Sequence, residues 1–556
     1  PNMTVLQYQT SQRKTIDLGD GLIMRWSTHA DTENVGNLIA DAFRWVPLGN
    51  PLFPRDRVPD DNEVLRAASR RLLSGKSAVM TEYDYALVED TKREKGFNPI
   101  VACVSLHQNR AYYGSVDVTF GKPELIATDP AYRNRGLVRK LMVQMVHPES
   151  EARGDILQFI PGIQYFYRQF GYEYGLNLGA GSTIETADAI TPLGKDESEP
   201  YILRKATEED IPFLVRMSTP EKMHSNAAVG LYYTREYWQY TVVTAPAEKQ
   251  FPLDVDRDTR IIVHAASQKP IGFTVSSHAI LGPRLEAMAL DEDEFSYFDA
   301  ADSLLRQLVA NAKEFVGEQT KGLAEYTKKI SETSASAKAE TKIAEEPKAA
   351  EESKAAEETK TAVEEAKGES QPEEFMPFGL NLHRRHPFGA LLALSGKAKP
   401  PSDKKPSYRL YTRIGDYATF ILAVKPELEK RLANSVLSGV TGTLRLDFFR
   451  KVEGQSVKGL EVVFEKGKIV EAKDWNKPDD EGQMLERVGW MKSGKMPNLY
   501  LATFHPLTFT NLVTGLRSVE DLVWAHGENA VRDDATTLLL NTLFPKVDHH
   551  FDIFDW

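Results

Sequence analysis

The stretch TDPAYRNRGLVRKLM (residues 128–142) joins two apolar segments through a short loop rich in arginine, asparagine and glycine. It follows the strand-like segment PELIAT (123–128) and leads into a run whose apolar residues have helical spacing. The pattern predicts a strand, a loop and a helix in succession. We expect the first domain of the chain to be built around this unit.

The loop itself has the form Arg-x-x-Gly-x-Val, from Arg133 to Val138. A bound pyrophosphate needs free N–H groups at a helix start, a glycine that allows close approach, and positive charge nearby. All three are present, although the loop is neither the dinucleotide-binding sequence GxGxxG nor a P-loop, since the GK[ST] element is absent. The alternative is an ordinary strand-to-helix turn with exposed arginines, and the loop alone does not separate the two.

The segments around this loop alternate between strand-like and helix-like patterns. Strands are predicted in MRWST (24–28), YDYALVED (83–90), PIVACVSLHQ (99–108) and GDILQFI (154–160). A helix is predicted after the first of these strands, and a short helix in QYFYRQF (164–170) ends at a glycine. A second cycle with the same order begins at about residue 200, which indicates a degenerate internal repeat.

The second cycle differs from the first at the position of the loop. It has MALDEDEFSYFDAADSL (288–304), in which acidic residues replace arginine and glycine. These charges would repel a pyrophosphate, so we expect the second repeat to act as scaffold. A segment rich in Ala, Glu and Lys follows, and we predict a disordered insertion at about 318–374 because it has nothing apolar to bury.

The rest of the chain resumes folded structure. FMPFGLNLHRRHPF (375–388) is interpreted as the missing last strand of the second cycle, with HRRHP (383–387) at the surface. A linker, AKPPSDKKPS (398–407), then leads to a third unit with helices and Gly-turned strands, which predicts an α+β domain.

Composition narrows the class of protein. The chain has 556 residues, 41% of them hydrophobic, which predicts several globular domains. A net charge of −12 argues against a nucleic-acid partner. The single cysteine, Cys103, lies in an apolar strand pattern and is interpreted as a core residue in a reducing compartment. No apolar run approaches a membrane span, so we expect a cytoplasmic protein that does not enter a membrane.

Two further groups of residues are candidates for chemistry. Tyr167 lies between two phenylalanines in FYRQFGY, where it is either a packed aromatic or a hydroxyl donor. VDHHFD (547–552) has adjacent histidines, which would point to opposite faces of a strand, so we expect no metal site there.

Several of these features together resemble a known family. The order of elements ending in LIATDPAYRNRGLVRKLM resembles the acetyl-CoA-binding core of the GCN5-related N-acetyltransferases (GNATs). With FYRQFGYEYG (166–175) and the end LFPKVDHHFDIFDW (543–556), the chain resembles the enhanced-intracellular-survival (Eis) family more narrowly. That resemblance implies two tandem GNAT folds, the second degenerate, at residues 1–185 and 186–397, and a sterol-carrier-like α+β domain at 398–556.

The resemblance also implies roles for individual residues. Tyr167 would be the general acid that protonates the departing CoA thiolate, and the main-chain carboxylate of Trp556 would be the base. Relatives commonly end in Phe, so the reach of this carboxylate is open. The pantetheine arm would pair with backbone groups of Leu125, Ile126 and Thr128. The pyrophosphate would be held by Arg133, Arg135, Gly136, Leu137 and Val138.

The function implied is an N-acetyltransferase that uses acetyl-CoA and no metal, and transfers the acetyl group directly to an amine. The acceptor would be a small-molecule amine or a protein lysine, and the protein a possible homo-oligomer. The alternative is a catalytically silent protein whose sterol-carrier-like domain binds an apolar ligand or a protein partner. An apolar tunnel in that domain would favour this alternative.

Overall fold

The computed structural model describes residues 13, 15–43, 63–178, 181–225, 229–249, 257–277, 282–341, 375–383, 385–400, 408–450, 459–475 and 498–551. In these ranges the chain forms three sheets, of ten, six and five strands. The fold is therefore mixed α and β with several sheets, as the sequence predicted. No helix in the described ranges is long and apolar enough to cross a membrane.

The N-terminal part contributes seven strands to the first sheet. They are β1 (Ile16–Gly19), β2 (Leu22–Trp26), β3 (Tyr85–Asp90), β4 (Ile100–Tyr113), β5 (Val116–Thr128), β6 (Leu157–Ile160) and β7 (Glu173–Asn177). Its helices are α1 (Thr32–Ala42), α2 (Glu63–Leu72), α3 (Leu137–Leu141) and α4 (His147–Ala152), with π-helical residues Met142–Val146 between the last two. Short 3-10 turns span His29–Asp31, Pro130–Tyr132 and Phe166–Phe170.

The helices of this part cover both faces of the sheet. Residues of α1 and α2 share a core with Tyr85, Leu87 and Cys103, whereas α3 packs on the opposite face with Ala86 and Val88. Cys103 is fully buried, and burial raises the pKa of its thiol to about 12, so it behaves as a core residue.

The middle part forms the second sheet and one strand of the first. Its strands are β8 (Ser182–Ile184), β9 (Tyr201–Lys205), β10 (Val229–Leu231), β11 (Arg257–His264), β12 (Lys269–Ser277), β13 (Arg284–Leu290) and β14 (Phe378–Leu380). Its helices are α5 (Ile211–Met217), α6 (Arg235–Gln239), α7 (Ala245–Ala247), α8 (Tyr297–Thr341) and α9 (Pro387–Leu394). Shorter helical turns span Ala187–Ala189, Glu208–Asp210 and, in π form, Tyr240–Thr244.

The second sheet repeats the strand order of the first. Strands β9, β11, β12 and β13 are antiparallel neighbours in this order, and β13 pairs in parallel with β14. Strands β2, β3, β4 and β5 are antiparallel in the same way, and β5 pairs in parallel with β6. The expected internal repeat therefore appears in the topology, and its assignment as a second GNAT fold stays a prediction.

Helix α8 corrects the expected start of the low-complexity insertion. The helix continues to Thr341, so residues 318–341 are helical, and the rest of the expected insertion, 342–374, lies outside the described residues. The physical reason is composition, because Ala, Glu and Lys have high helix propensity even where no core is available. The absence of apolar residues after residue 318 therefore does not predict where this helix ends.

The C-terminal part adds a five-stranded sheet and two strands of the first sheet. The strands of this part are β15 (Arg409–Arg413), β16 (Gly442–Phe448), β17 (Gly459–Glu465), β18 (Lys468–Asp474), β19 (Leu499–Phe504), β20 (Ala530–Val531) and β21 (His549–His550). Its helices are α10 (Tyr417–Ala433), α11 (Pro506–Val513), α12 (Val519–Ala525) and α13 (Asp534–Leu543). The sheet order is β18-β17-β16-β19-β20.

Three strands from later parts of the chain complete the first sheet. Strand β15 lies between β6 and β7, and β10 pairs with both β4 and β21. Strands of the first sheet therefore come from all three predicted domains, and the boundaries at residues 185 and 398 stay a prediction. Since an unpaired strand edge leaves N–H and C=O groups without partners, distant segments are recruited to fill it.

The C-terminal part also packs directly on the first sheet. Helix α10 shares one hydrophobic core with β4, β5 and β6. The carboxylate of Glu427 accepts hydrogen bonds from the N–H and hydroxyl groups of Ser115, in the turn between β4 and β5, at 3.0 and 2.7 Å. Tyr113 donates to the carbonyl of Val513 at 2.6 Å. These contacts hold the third sheet against the first.

Candidate functional site

Strands β5 and β6 stop pairing after Gly121, and the gap between them beyond this point is called the cleft here. The two strands pair only at Phe120↔Leu157 and Gly121↔Gln158, whereas β5 continues to Thr128. The other edge of β6 pairs with β15. Alternate residues of β5 beyond Gly121 therefore direct backbone N–H and C=O groups toward the gap, where an extended ligand can pair with them like an added strand.

A β-bulge lies in β5 beside this cleft. Cys103 pairs with Ala127 and Ser105 with Glu124, so β5 has one more residue than β4 across this step. Leu125 accommodates the bulge with a φ of 47°, which is uncommon for a residue with a side chain. The segment predicted to meet the pantetheine arm, which contains Leu125, Ile126 and Thr128, therefore lies at the cleft.

The loop predicted to bind pyrophosphate lies at the end of β5. Asp129 caps the turn Pro130–Tyr132 by accepting a hydrogen bond from Ala131 N at 2.8 Å. Gly136 precedes α3 with a left-handed φ of 70°, and a Cβ added there would meet no atom within 4 Å. Because the first N–H groups of a helix have no intrahelical partner, they are available to an anion in this open space.

The side chains of the loop divide into two groups. Leu137 is buried and Val138 packs against the same core, so these residues offer a ligand only their backbone N–H groups. Arg133 and Arg135 are exposed. The Arg135 guanidinium lies 4.6 Å from the centre of the Tyr132 ring and donates to the Ala131 carbonyl at 3.2 Å. Positive charge is thus present on the solvent side of the cradle.

Tyr167 lies in the turn Phe166–Phe170, which follows β6. Its side chain is largely buried and contacts four aromatic rings, those of Phe166, Phe170, Tyr172 and Tyr411. In the described ranges, no residue forms a hydrogen bond with its hydroxyl group. Burial raises the pKa of Tyr167, and the negative charge of Glu124 acts in the same direction. The hydroxyl group therefore stays protonated at neutral pH and can donate to a ligand.

One contact connects the Tyr167 turn to the helix after the cradle, and another connects it to β15. Arg139 of α3 donates to the side-chain oxygen of Gln169 at 2.6 Å, and its guanidinium lies 5.2 Å from the centre of the Phe170 ring. On the other side, the Tyr411 hydroxyl accepts a hydrogen bond from Tyr165 N at 2.5 Å. The loop and the tyrosine, about thirty residues apart in sequence, therefore belong to one site.

Gly162 leaves the room that the Tyr167 ring needs. A Cβ added at Gly162 would overlap Cδ2 and Cε2 of this ring, although the glycine has no left-handed backbone angle.

Gly162→Ala should therefore displace the hydroxyl group and lower acyl-transfer turnover about tenfold or more, with little effect on CoA affinity. Turnover and calorimetric binding measured together check this. Gly527→Ala, where an added Cβ meets nothing, is the matched control; an unchanged turnover in Gly162→Ala would contradict the role of this packing.

A buried ion pair beside the cleft was missed in the sequence. Lys122 Nζ lies 2.7 Å from Glu124 Oε2, with Lys122 fully buried and Glu124 nearly so. The signal was present in KPEL, since two charged residues two positions apart in an apolar strand share one face. The pair lies where β5 has diverged from β6, so a carboxylate and an ammonium group adjoin the candidate site.

The corresponding loop of the second sheet has its charges in local ion pairs. Lys222 Nζ lies 3.2 Å from Asp293 Oδ2, and Lys269 Nζ lies 2.7 Å from Glu294 Oε2. The acidic side chains therefore have a structural use, and the expectation that this loop does not hold pyrophosphate stays a prediction.

The structure describes the histidines of HRRHP and VDHHFD, whereas Trp556 lies outside the described residues. His383 and His386 are buried, which corrects the surface assignment of HRRHP, because the chain after β14 turns into the interior. In β21, His549 Nδ1 accepts a hydrogen bond from Asn177 N at 3.0 Å, a structural use. Trp556, the predicted source of the base, lies outside the described residues.

A void between α10 and the third sheet, lined by apolar side chains such as those of Ile421, Leu446 and Phe509, has no room for a water molecule. This void therefore does not supply the apolar tunnel that would favour the catalytically silent alternative. Whether this unit is sterol-carrier-like stays a prediction.

Comparison with known proteins agrees with this geometry. Residues 25–175 match the family model described as an acetyltransferase (GNAT) domain. Residues 25–175 therefore carry a GNAT acetyltransferase domain. The cleft, the cradle and Tyr167 all fall within the matched residues. This supports acyl transfer as the general type of reaction, while the narrower Eis resemblance stays a prediction.

Solved structures resemble the whole chain at low sequence identity. A GCN5-related N-acetyltransferase from Anabaena variabilis has a TM-score of 0.54 at 13% identity, over 95% of this chain and 99% of that one. One from Kribbella flavida has a TM-score of 0.52 at 13% identity, over 96% and 98%. A probable N-acyltransferase from Enterococcus faecalis has 0.53 at 14%, over 96% and 99%. At these identities the likeness concerns the fold alone. A search of curated proteins found no match.

Proposed function

We propose that the protein is an N-acetyltransferase that uses acetyl-CoA and transfers the acetyl group to a primary amine in a ternary complex. The observation that carries this proposal is the open cleft between β5 and β6, which has the glycine cradle at one end and a protonated tyrosine beside it. GNAT acetyltransferases use acetyl-CoA, and the cradle fits a pyrophosphate because a Cβ-free, open helix start is available.

In this proposal the chain's own groups bind, orient and supply protons. Backbone groups of Leu125, Ile126 and Thr128 pair with the pantetheine arm, and the N–H groups at the start of α3 hold the pyrophosphate. Tyr167 donates its hydroxyl proton toward the leaving sulfur. Because the pKa of Tyr167 is raised while that of a thiol is about 8.5, the hydroxyl acts mainly as a hydrogen-bond donor to the developing thiolate.

For the base we propose the main-chain carboxylate of Trp556, as the Eis resemblance implies. In support, Phe551 packs against Phe120 of β5 and Phe159 of β6, at ring-centre distances of 6.2 and 5.1 Å. Five residues follow Phe551 in the sequence, a reach of about 17 Å when extended. Glu124 is the alternative candidate for the base. It is the weaker candidate because its carboxylate already forms an ion pair with Lys122.

Extending the chain beyond Trp556 should then lower turnover at least about 100-fold, since the carboxylate would be moved or replaced by a peptide bond. The measurement is CoA-thiol release by an enzyme with a few glycines and serines added after Trp556. An N-terminal extension of the same composition is the control. A fully active C-terminal extension together with an inactive Glu124→Gln variant would transfer the role to Glu124.

The proposed function is tested by measuring CoA-thiol release from acetyl-CoA in the presence of amines. The panel contains small polyamines, drug-like primary amines and lysine-containing peptides, since the acceptor is either a small molecule or a protein. We expect release that depends on the amine and exceeds hydrolysis without it. Amine-independent release, or none with the whole panel, would contradict the proposal.

A further inference from the structure

A cavity of about 530 Å³ lies where the three parts of the chain meet. Asn177 of β7 and Arg409 of β15 border it from the first sheet, and His383 and Arg385 from the segment after β14. The remaining wall comes from residues 515–517, Asp521 of α12 and residues 546–549. The cavity is separate from the cleft between β5 and β6, and the proposed acetyl transfer does not use it.

The charged side chains of this cavity are unbalanced. Among the described residues of its wall, four are cationic, namely Arg385, Arg409, Arg517 and Lys546, whereas two, Asp521 and Asp548, are carboxylates. Such an excess of positive charge is unusual for a chain whose net charge is −12. In a partly enclosed space, like charges repel with little screening, so a bound anion would lower the electrostatic energy.

The two carboxylates are already in use. Lys546 Nζ lies 2.9 Å from Asp521 Oδ2, and Arg385 Nε lies 3.3 Å from Asp548 Oδ2. Lys546 holds the pKa of Asp521 below its usual range, and Arg517 adds to this effect without forming an ion pair. Within the described part of the chain, Arg409 and Arg517 have no carboxylate at ion-pair distance. These two guanidinium groups are therefore available to a ligand.

A buried histidine supplies a further polar group in the wall. The His383 side chain is 3% exposed, and its Nε2 lies 2.9 Å from the carbonyl of Met223. Because a carbonyl only accepts, Nε2 is the donor and Nδ1 of the neutral ring has a free lone pair. No described residue bonds to this Nδ1. This nitrogen is itself buried, so a ligand in the cavity would be held by the two arginines rather than by His383.

We propose that this junction cavity is a binding site for a small phosphate-bearing ligand. Anionic phosphate oxygens accept hydrogen bonds from the guanidinium groups of Arg409 and Arg517. Arginine suits this role because its planar donors match the geometry of phosphate oxygens. Since the wall comes from all three parts of the chain, a bound ligand would also hold these parts together.

The test uses inorganic pyrophosphate as the probe, titrated by calorimetry into the full chain bearing Gly136→Asp, which removes the cradle as a competing site. We expect one binding site, and a rise in Tm of about 2 °C at a hundredfold excess over Kd. Arg409→Ala and Arg517→Ala should each weaken binding about tenfold or more. Binding should also weaken as salt is added, because the contacts are ionic.

The control is Arg216→Ala, which removes an exposed arginine of α5 outside the cavity and should leave pyrophosphate affinity unchanged. Arg517→Lys keeps the charge without the planar donors, so an intermediate affinity separates loss of charge from loss of folding. Full binding by the Arg409→Ala and Arg517→Ala variants would overturn the proposal, and so would an equal loss in Arg216→Ala. Neither result bears on the acetyl transfer, which is measured separately.

Discussion

Tyr167→Phe should lower acyl-transfer turnover about 100-fold or more and leave the affinity for acetyl-CoA nearly unchanged. The substitution removes only the hydroxyl group, and no described residue hydrogen-bonds to it, so the fold loses no contact. The ring would keep its packing against Phe170, Tyr172 and Tyr411. What disappears is a donor to the leaving sulfur, a contribution that matters most when the thiolate develops.

Steady-state turnover and calorimetric binding of acetyl-CoA, measured on the same preparations, check this expectation. The matched control is Tyr165→Phe, which removes a hydroxyl group from an exposed ring two residues away. The backbone N–H of Tyr165 still donates to Tyr411 in this variant, so the turn is preserved. A Tyr167→Phe enzyme with normal turnover would remove Tyr167 from the chemistry.

Gly136→Asp should reduce acetyl-CoA affinity at least about 100-fold, below calorimetric detection, and thereby abolish activity. The protein itself should tolerate the change. An added Cβ meets no atom within 4 Å, and Asp is among the residues that accept a left-handed φ most readily. The new carboxylate would occupy the space meant for the pyrophosphate and repel its charge.

Gly136→Asn separates the two effects, because it has the same shape and similar backbone tolerance without the charge. We expect it to bind acetyl-CoA more weakly than the natural protein but more tightly than Gly136→Asp. An unchanged Tm in both variants would confirm that the fold is intact. Retained affinity in Gly136→Asp would exclude this loop as the cradle.

Local sequence patterns predict several elements that border the cleft. The strand, the loop and the helix around Gly136 were predictable, because apolar periodicity and a left-handed glycine are properties of neighbouring residues. The burial of Cys103 followed from its apolar surroundings in the same way. The spacing of Lys122 and Glu124 also places the two side chains on one face of the strand. Their burial as an ion pair was not predictable, because the apolar pattern of the strand gives no sign of a buried charge.

The wrong expectations had two different physical causes. Helix α8 extends past residue 318 because helix propensity acts without a core, so the absence of apolar residues did not mark its end. The segment HRRHP is predicted to lie at the surface at the end of a strand, yet His383 and His386 are buried and hydrogen-bond to the carbonyl groups of Met223 and Met288. Polar side chains enter a core when partners exist there, and those partners are distant in sequence.

The amino-acid sequence by itself determined the elements of the candidate site, namely a strand ending at a glycine cradle and a tyrosine in a short turn. Only the tertiary structure decided what completes the first sheet, since β10, β15 and β21 come from 229–231, 409–413 and 549–550. The reason is that periodicity and capping act between residues a few positions apart, whereas strand pairing depends on which edges stay open after the parts have folded. Strand β15 brings Tyr411 against Tyr167, so the position of the tyrosine in the site depends on this long-range pairing.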